Sequence, residues 1–332
     1  MKDAAFTRVA LLLGVLMAPS VALAAGIATD GTVGPRVQLN GAGGFQIPDT
    51  FGTRRGENLF HSFSDFQLGR GETATFSQTQ SGTISSVFAR VSGLQSDGSI
   101  VRSVSKIEGT LRSTIPGASL YFFNPAGVVF GPKATIEIDG SFTVSSADFL
   151  GFSDGVVFPA TPPAGGDSLT SADISSFGFL GNAPAPLEFS GSQITMLPGR
   201  DFRAVGGDIA IRRPAPVAGQ LTPAGAVITA PGGRVTLTSA STAGTVALDG
   251  RITATGPRRR GASGVSLKES FIDTSGTQGG GISIRAPKLT LTQSGISSST
   301  TGDARGQSLS LAISGPISLT HPTTVVRRLL TS

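Results

Sequence analysis

The chain has 332 residues, enough to bury a substantial core as one large or two small domains. Its 46 glycines and 20 prolines amount to about a fifth of the chain, below the content of low-complexity disorder. With no Cys, no Trp, one Tyr, twenty Phe and a net charge of +5, it has no disulfide framework, no thiol chemistry and little aromatic surface for stacking bases. So mild a positive bias gives no reason to expect nucleic acid as a partner.

The N-terminus reads as a separate object. Lys2 and Arg8 precede the apolar run Val9–Ala18, and Ala22-Leu23-Ala24 fits a small-x-small cleavage pattern. The pattern predicts a secretory signal peptide over residues 1–24. The run is too short to span a bilayer as a helix, and no later stretch is apolar enough, so no membrane-spanning segment is expected in the mature chain.

Residues 25–57 mix Gly, Thr and Pro with scattered apolar residues and predict short strands that cap the start of a fold. Leu59–Phe66, Ala74–Phe76, Ile84–Val91 and Ile107–Leu111 read as further short strands between Gly and Ser turns. In Asn124-Pro125-Ala126-Gly127 the residue types match a type I turn: Asn bonds forward, Pro presets φ, and Gly frees the exit. Apolar runs Leu120–Phe123 and Val128–Phe130 flank it. Beyond Gly131-Pro132, Ile136 and Ile138 alternate with polar residues, Asp139-Gly140 turns the chain, and Phe142 and Val144 alternate again.

Residues 151–189 are Pro-rich and lose the alternation. A connection of that length predicts an excursion from the main fold, part hairpin packed on its flank and part flexible. From Ile194 a pattern of Gly followed by apolar-x-apolar strands recurs about every 25 residues, with first apolar positions at Ile209, Val235, Val265, Ile282 and Leu309. Short strands at that spacing, without a Leu/Asn repeat or a recurring Asp, predict a parallel β-helix.

The segment 119–150, with NPAG followed by VVFGPKATIEIDGSFTVSSADFL, resembles the NPxG-containing N-terminal domain of filamentous haemagglutinin-type exoproteins, the secretion domain of two-partner secretion. NLFHSFSDF at 58–66 is similar to a second motif of that family, and Leu197–Thr238 to its first solenoid turns. Ala126 stands where Asn is common, and there is no separate NPNL motif. The resemblance implies an all-β, right-handed parallel β-helix with an N-terminal cap and an extra-helical β excursion. It implies a secretion domain over 25–240 and further coils over 241–332, belonging to a small or a truncated exoprotein with no polar cap evident at Val325–Leu330. It also implies export from a Gram-negative cell through the periplasm to the surface or the medium. The partner would be an outer-membrane β-barrel transporter with periplasmic recognition domains. A host or bacterial surface glycan or protein would be the target of an adhesin-like member. The absence of Cys suits a chain that threads a pore unfolded. The residues expected to carry secretion and folding are Asn124, Pro125 and Gly127, with Asn58, Leu59, Phe60, His61, Ser62 and Phe63.

Other chemistry has thinner support. His61-Ser62-Phe63-Ser64-Asp65 contains the members of a hydrolase triad, but neighbours on a strand face opposite ways and no G-x-S-x-G elbow surrounds either Ser. GAGG at 41–44 and QGGG at 278–281 lack a phosphate loop's Lys and helix. Glu137 with Asp139, and Asp65 with Gln67, are spaced as on any solvated strand. The reading is therefore no catalytic, cofactor or metal residue and no enzyme. A secreted β-helix polysaccharide-degrading enzyme of the pectate-lyase kind is the alternative. Arg54-Arg55, Arg212-Arg213, Arg258–Arg260 and Arg327-Arg328 read as solvated turn residues, with a polyanion contact as the lesser reading.

Overall fold

The computed structural model describes residues 26–41, 44–216, 221–257, 264–320 and 324–329. The predicted signal peptide and Arg258–Arg260 lie outside them. The described chain is built from short strands and one 3-10 turn, Asp49–Phe51.

Three parallel faces wind around one core. On the first, Asn58–Phe66 is followed by Ser86–Val91, Ser119–Phe123, Phe142–Ser145, Phe202–Gly206, Arg234–Ser239, Gly281–Ala286 and Leu309–Ile313. The second runs from Ser105–Ile107 through Val128–Phe130, Leu187–Ser190, Ile209–Arg212, Val265–Lys268 and Leu289–Thr292 to Ile317–Thr320. The third is made by the stack from Phe45–Pro48 to Thr135–Ile138 and then the stack from Gln193–Thr195 to Thr324–Leu329. This is a parallel β-helix.

Register explains why the apolar pattern forms coils. Leu59, Val87, Leu120, Phe142, Phe202, Val235, Ile282 and Leu309 are successive partners on the first face. All but Leu309 are buried, so each coil adds one side chain to an apolar column. Corners need residues that let coils approach. At Gly109 an added Cβ would sit 2.3 Å from the Glu72 carbonyl oxygen. That corner splits the strand expected over Ile107–Leu111 into Ser105–Ile107 and Thr110–Ser113, on different faces.

The N-terminal strands form the expected cap. Ile27–Thr29 and Thr53–Arg55 pair antiparallel with Asn58–Phe66, covering the edge that the first coil would otherwise leave open. The excursion is also present, beginning at Phe149. Val157–Pro159, Phe149–Phe152 and Ile174–Phe179 join Gly244–Ala247 and Ile252–Ala254 in one antiparallel sheet. Its last two strands begin 65 positions after Phe179, the end of the first three (244 against 179), and the sequence pattern gave no sign of them.

This sheet lies over the outward side of the first face and creates a second core. Phe60, Phe88 and Phe123, on the outward side, pack with Phe152, Phe158, Phe177 and Val246 of the excursion. The first face is thus apolar on both sides, and the excursion is what keeps its outer side dry.

Candidate functional site

The strand Asn58–Phe66 is the only place where both cores and the cap meet among the elements that carry the predicted motif residues. Alternation sorts its side chains. Leu59, His61 and Phe63 point into the coil interior, where His61 lies 5.4 Å from the Phe76 ring centroid and Phe63 lies 5.1 Å from that of Phe66. Phe60 and Ser62 point the other way. Phe60 stacks on Phe88 at 5.1 Å and meets the edge of Phe158 at 5.1 Å. Asn58 donates from Nδ2 to the carbonyls of Thr170 (3.1 Å) and Ala172 (2.8 Å), tying the motif to the excursion. Every residue from Asn58 to Phe63 is buried.

His61, Ser62 and Asp65 form no relay. Neither imidazole nitrogen of His61 has a hydrogen-bond partner, and Ser62 lies on the opposite side of the strand, bonded to Asp30 and Arg90. Burial pushes the His61 imidazole down to about 4, against smaller opposing effects of the Phe51 backbone and the Asp49 charge. It is a neutral core side chain at physiological pH.

Asn124-Pro125-Ala126-Gly127 is the turn from the first face to the second. The Gly127 N–H donates to the Asn124 carbonyl at 2.9 Å, closing it. Asn124 Oδ1 accepts from the Ala126 N–H at 2.8 Å, and its Nδ2 donates to the Ser103 carbonyl (2.8 Å) and Ser105 Oγ (2.9 Å). Asn124 therefore fastens its own coil to the one below. Gly127 has φ +102°, and a Cβ there would lie 2.6 Å from the Pro186 carbonyl oxygen of the coil above. Turn chemistry and coil spacing both select Gly.

The two motifs converge on one segment. Asn124 holds Ser103 and Ser105 from one side; from the other, Gln67 donates to the Val104 carbonyl at 2.9 Å and Asp65 accepts from Ser103 Oγ at 3.0 Å. Elements far apart in sequence, Asp65–Gln67 and Asn124, thus share a single corner.

A polar node was missed by sequence reasoning. Arg90 has a fully buried side chain bridged to Asp167, with Nη1 to Oδ1 at 2.8 Å and Nη2 to Oδ2 at 2.7 Å. It also donates to Ser62 Oγ, the Pro159 carbonyl and Thr32 Oγ1, and its guanidinium lies 4.2 Å from the Phe158 centroid. Asp30 accepts from Ser62, Ser92 and Thr32 beside it. The single available signal was Arg90 in the otherwise apolar run VFARV, which also fits an exposed side chain.

Other predicted candidates are placed apart. Glu137 pairs with Arg112 at 2.6 Å, Arg212 with Glu188 at 2.5 Å and Arg213 with Glu269 at 2.6 Å, all partly exposed ladder pairs between coils. Arg54 donates to the carbonyls of Gly56, Ser81 and Thr83 and so serves a turn. Among the described residues no group of three or more His, Cys, Asp or Glu is placed to hold a metal ion, and no helix is long and apolar enough to cross a membrane.

A capped parallel β-helix with an extra-helical sheet clamped over its first coils is the class of protein that these features define. The TPS secretion domain family matches over residues 25–305. The chain belongs to that family, and is a two-partner secretion substrate exported across the outer membrane by a partner transporter. The match runs past residue 240, and the coils likewise continue through that point without a break in the first-face ladder. The crystal structure of the filamentous hemagglutinin secretion domain is similar at 16% identity, covering 92% of this chain and 100% of that one, with a TM-score of 0.48. A comparison with curated proteins gives no match.

Proposed function

We propose that Asn58–Phe63 and Asn124-Pro125-Gly127 act in export as the residues that first target the extended chain and then close its first coils outside the cell. The observation that carries this reading is burial: Asn58 to Phe63 and Asn124 present almost no surface in the folded protein. A transporter that reads these side chains must meet them before the chain folds. An extended strand offering its backbone to a sheet edge in the transporter's periplasmic domains is the recognition mode this suits. Folding outside then hides the signal, and each docked coil opposes return.

In this reading the chain crosses the inner membrane with its signal peptide, passes through the periplasm, and serves at the cell surface or in the medium as an adhesin-like exoprotein whose target is a surface glycan or protein. The polysaccharide-degrading alternative draws on architecture alone, and no described cluster of acids favours it.

The test is secretion with the partner transporter co-expressed. Gly127→Val, and Pro125→Ala combined with Asn124→Ala, are expected to lower the amount outside the cell well below that of a variant with Arg258–Arg260 neutralised. Equal secretion of all three removes the assignment.

A further inference from the structure

The extra-helical sheet is joined to the coils unlike anything else in the molecule. None of its strands pairs with a strand of the three faces; its backbone ladder is entirely its own. What holds it down is a few side-chain contacts and one apolar layer. That layer, with Phe60, Phe88 and Phe123 beneath Phe152 and Phe158, is separate from the core inside the coils. Against it lies Arg90, its guanidinium over the Phe158 ring. Its five N–H donors meet five acceptors, and three of those bonds end on Pro159 and Asp167 of the excursion. Among the described residues the one carboxylate paired with the guanidinium is Asp167.

We propose that the whole extra-helical sheet, residues 148–179 together with the paired strands Gly244–Ala247 and Ile252–Ala254, forms a strap that opens and closes as a unit over the first face, with Arg90–Asp167 as its catch. Opening breaks no backbone pair between coils, so the β-helix beneath stays wound. It uncovers the outward side of the NLFHSF strand, namely Asn58, Phe60 and Ser62, together with Arg90. Closing is all-or-none with respect to Asp167. A strap laid down without that carboxylate would bury a cation against Phe158 with no counter-charge in contact, and breaking a buried pair from one side is strongly unfavourable. The folded protein thus has a closed state in which its motif strand is hidden and an open one in which one side is presented. The opening belongs to the folded protein and does not rest on the export reading above, in which the transporter meets these residues before the chain folds.

The experiment is hydrogen exchange, resolved by segment, on the purified protein and its variants without any transporter. In the wild type, Phe149–Phe152 and Ile174–Phe179 should exchange together and faster than Val128–Phe130 and Ile209–Arg212 of the second face. Asp167→Ala should cut protection of the strap on the order of a hundredfold or more while leaving the second face unchanged. Arg90→Met combined with Asp167→Leu, which removes both charges and keeps apolar volume, should return the strap to within about tenfold of wild type. Unchanged strap protection in Asp167→Ala overturns the proposal, as does an equal loss in strap and second face. Where Asp167→Ala yields too little folded protein, Asp167→Asn is read by the same two criteria. Failure here leaves the secretion assay untouched, and failure of secretion with a normal strap response faults the export reading alone.

Discussion

Gly127 shows at one residue how turn and stack act together. A β-branched side chain there meets both a left-handed φ and the Pro186 carbonyl, so Gly127→Val should lower stability by about 2 kcal/mol or more, read from urea unfolding followed by circular dichroism. His61 makes a different kind of prediction. The unfolded imidazole takes a proton near 6.5, while the buried one does not until about 4. Between those values the unfolded chain binds more protons, so stability falls as pH is lowered through that window, by about 3 kcal/mol at its full extent. His61→Leu should flatten that acid limb in urea midpoints measured from pH 7 to 4. An unchanged limb would show that other groups produce it. The two cases also show what a sequence conveys at this scale. NPAG announced its turn because Pro and Gly have fixed backbone meanings, whereas nothing in NLFHSF said that its His would be a core residue without a partner.

At the scale of elements, the coils were legible because their code is local. Alternating apolar residues between Gly-marked corners read as short strands whatever their partners, and the cap and the excursion followed from composition. The 25-residue recurrence was right about winding and mixed about address: Ile209 and Val265 lie on the second face, while Val235, Ile282 and Leu309 lie on the first. Both faces use the same apolar-x-apolar pattern, so spacing alone cannot tell them apart. The node of Arg90 with Asp167 was illegible for a deeper reason, because 77 residues separate the partners and neither position has a pattern of its own. The exposed ladder pairs offer a contrast. Arg112 and Glu137 have side chains 42% and 50% exposed, and Glu137→Gln should shift the urea midpoint by no more than about 0.5 kcal/mol in stability terms. Asn58→Ala, which leaves two strap carbonyls without their buried donor, should cost about 1–3 kcal/mol in the same measurement. A reversal of that order would mean that the coils are fastened at their surface.

For the whole molecule, one design joins stability to export. The chain has no Cys and builds its strength from coil-to-coil ladders and two apolar cores, all of which form only when successive segments are present to stack. Its motif residues are therefore accessible in the extended chain and hidden in the folded one, and in the export role proposed above that difference would give transit a direction. The most direct test is to express the protein with and without its partner transporter, alongside Asn58→Ala and Asn124→Ala, and to measure how much reaches the outside of the cell. Transporter-dependent appearance of the wild type outside, with both variants held back in the periplasm, is the predicted result. Wild-type protein accumulating folded in the periplasm despite the transporter, or variants secreted as well as the wild type, would contradict the account.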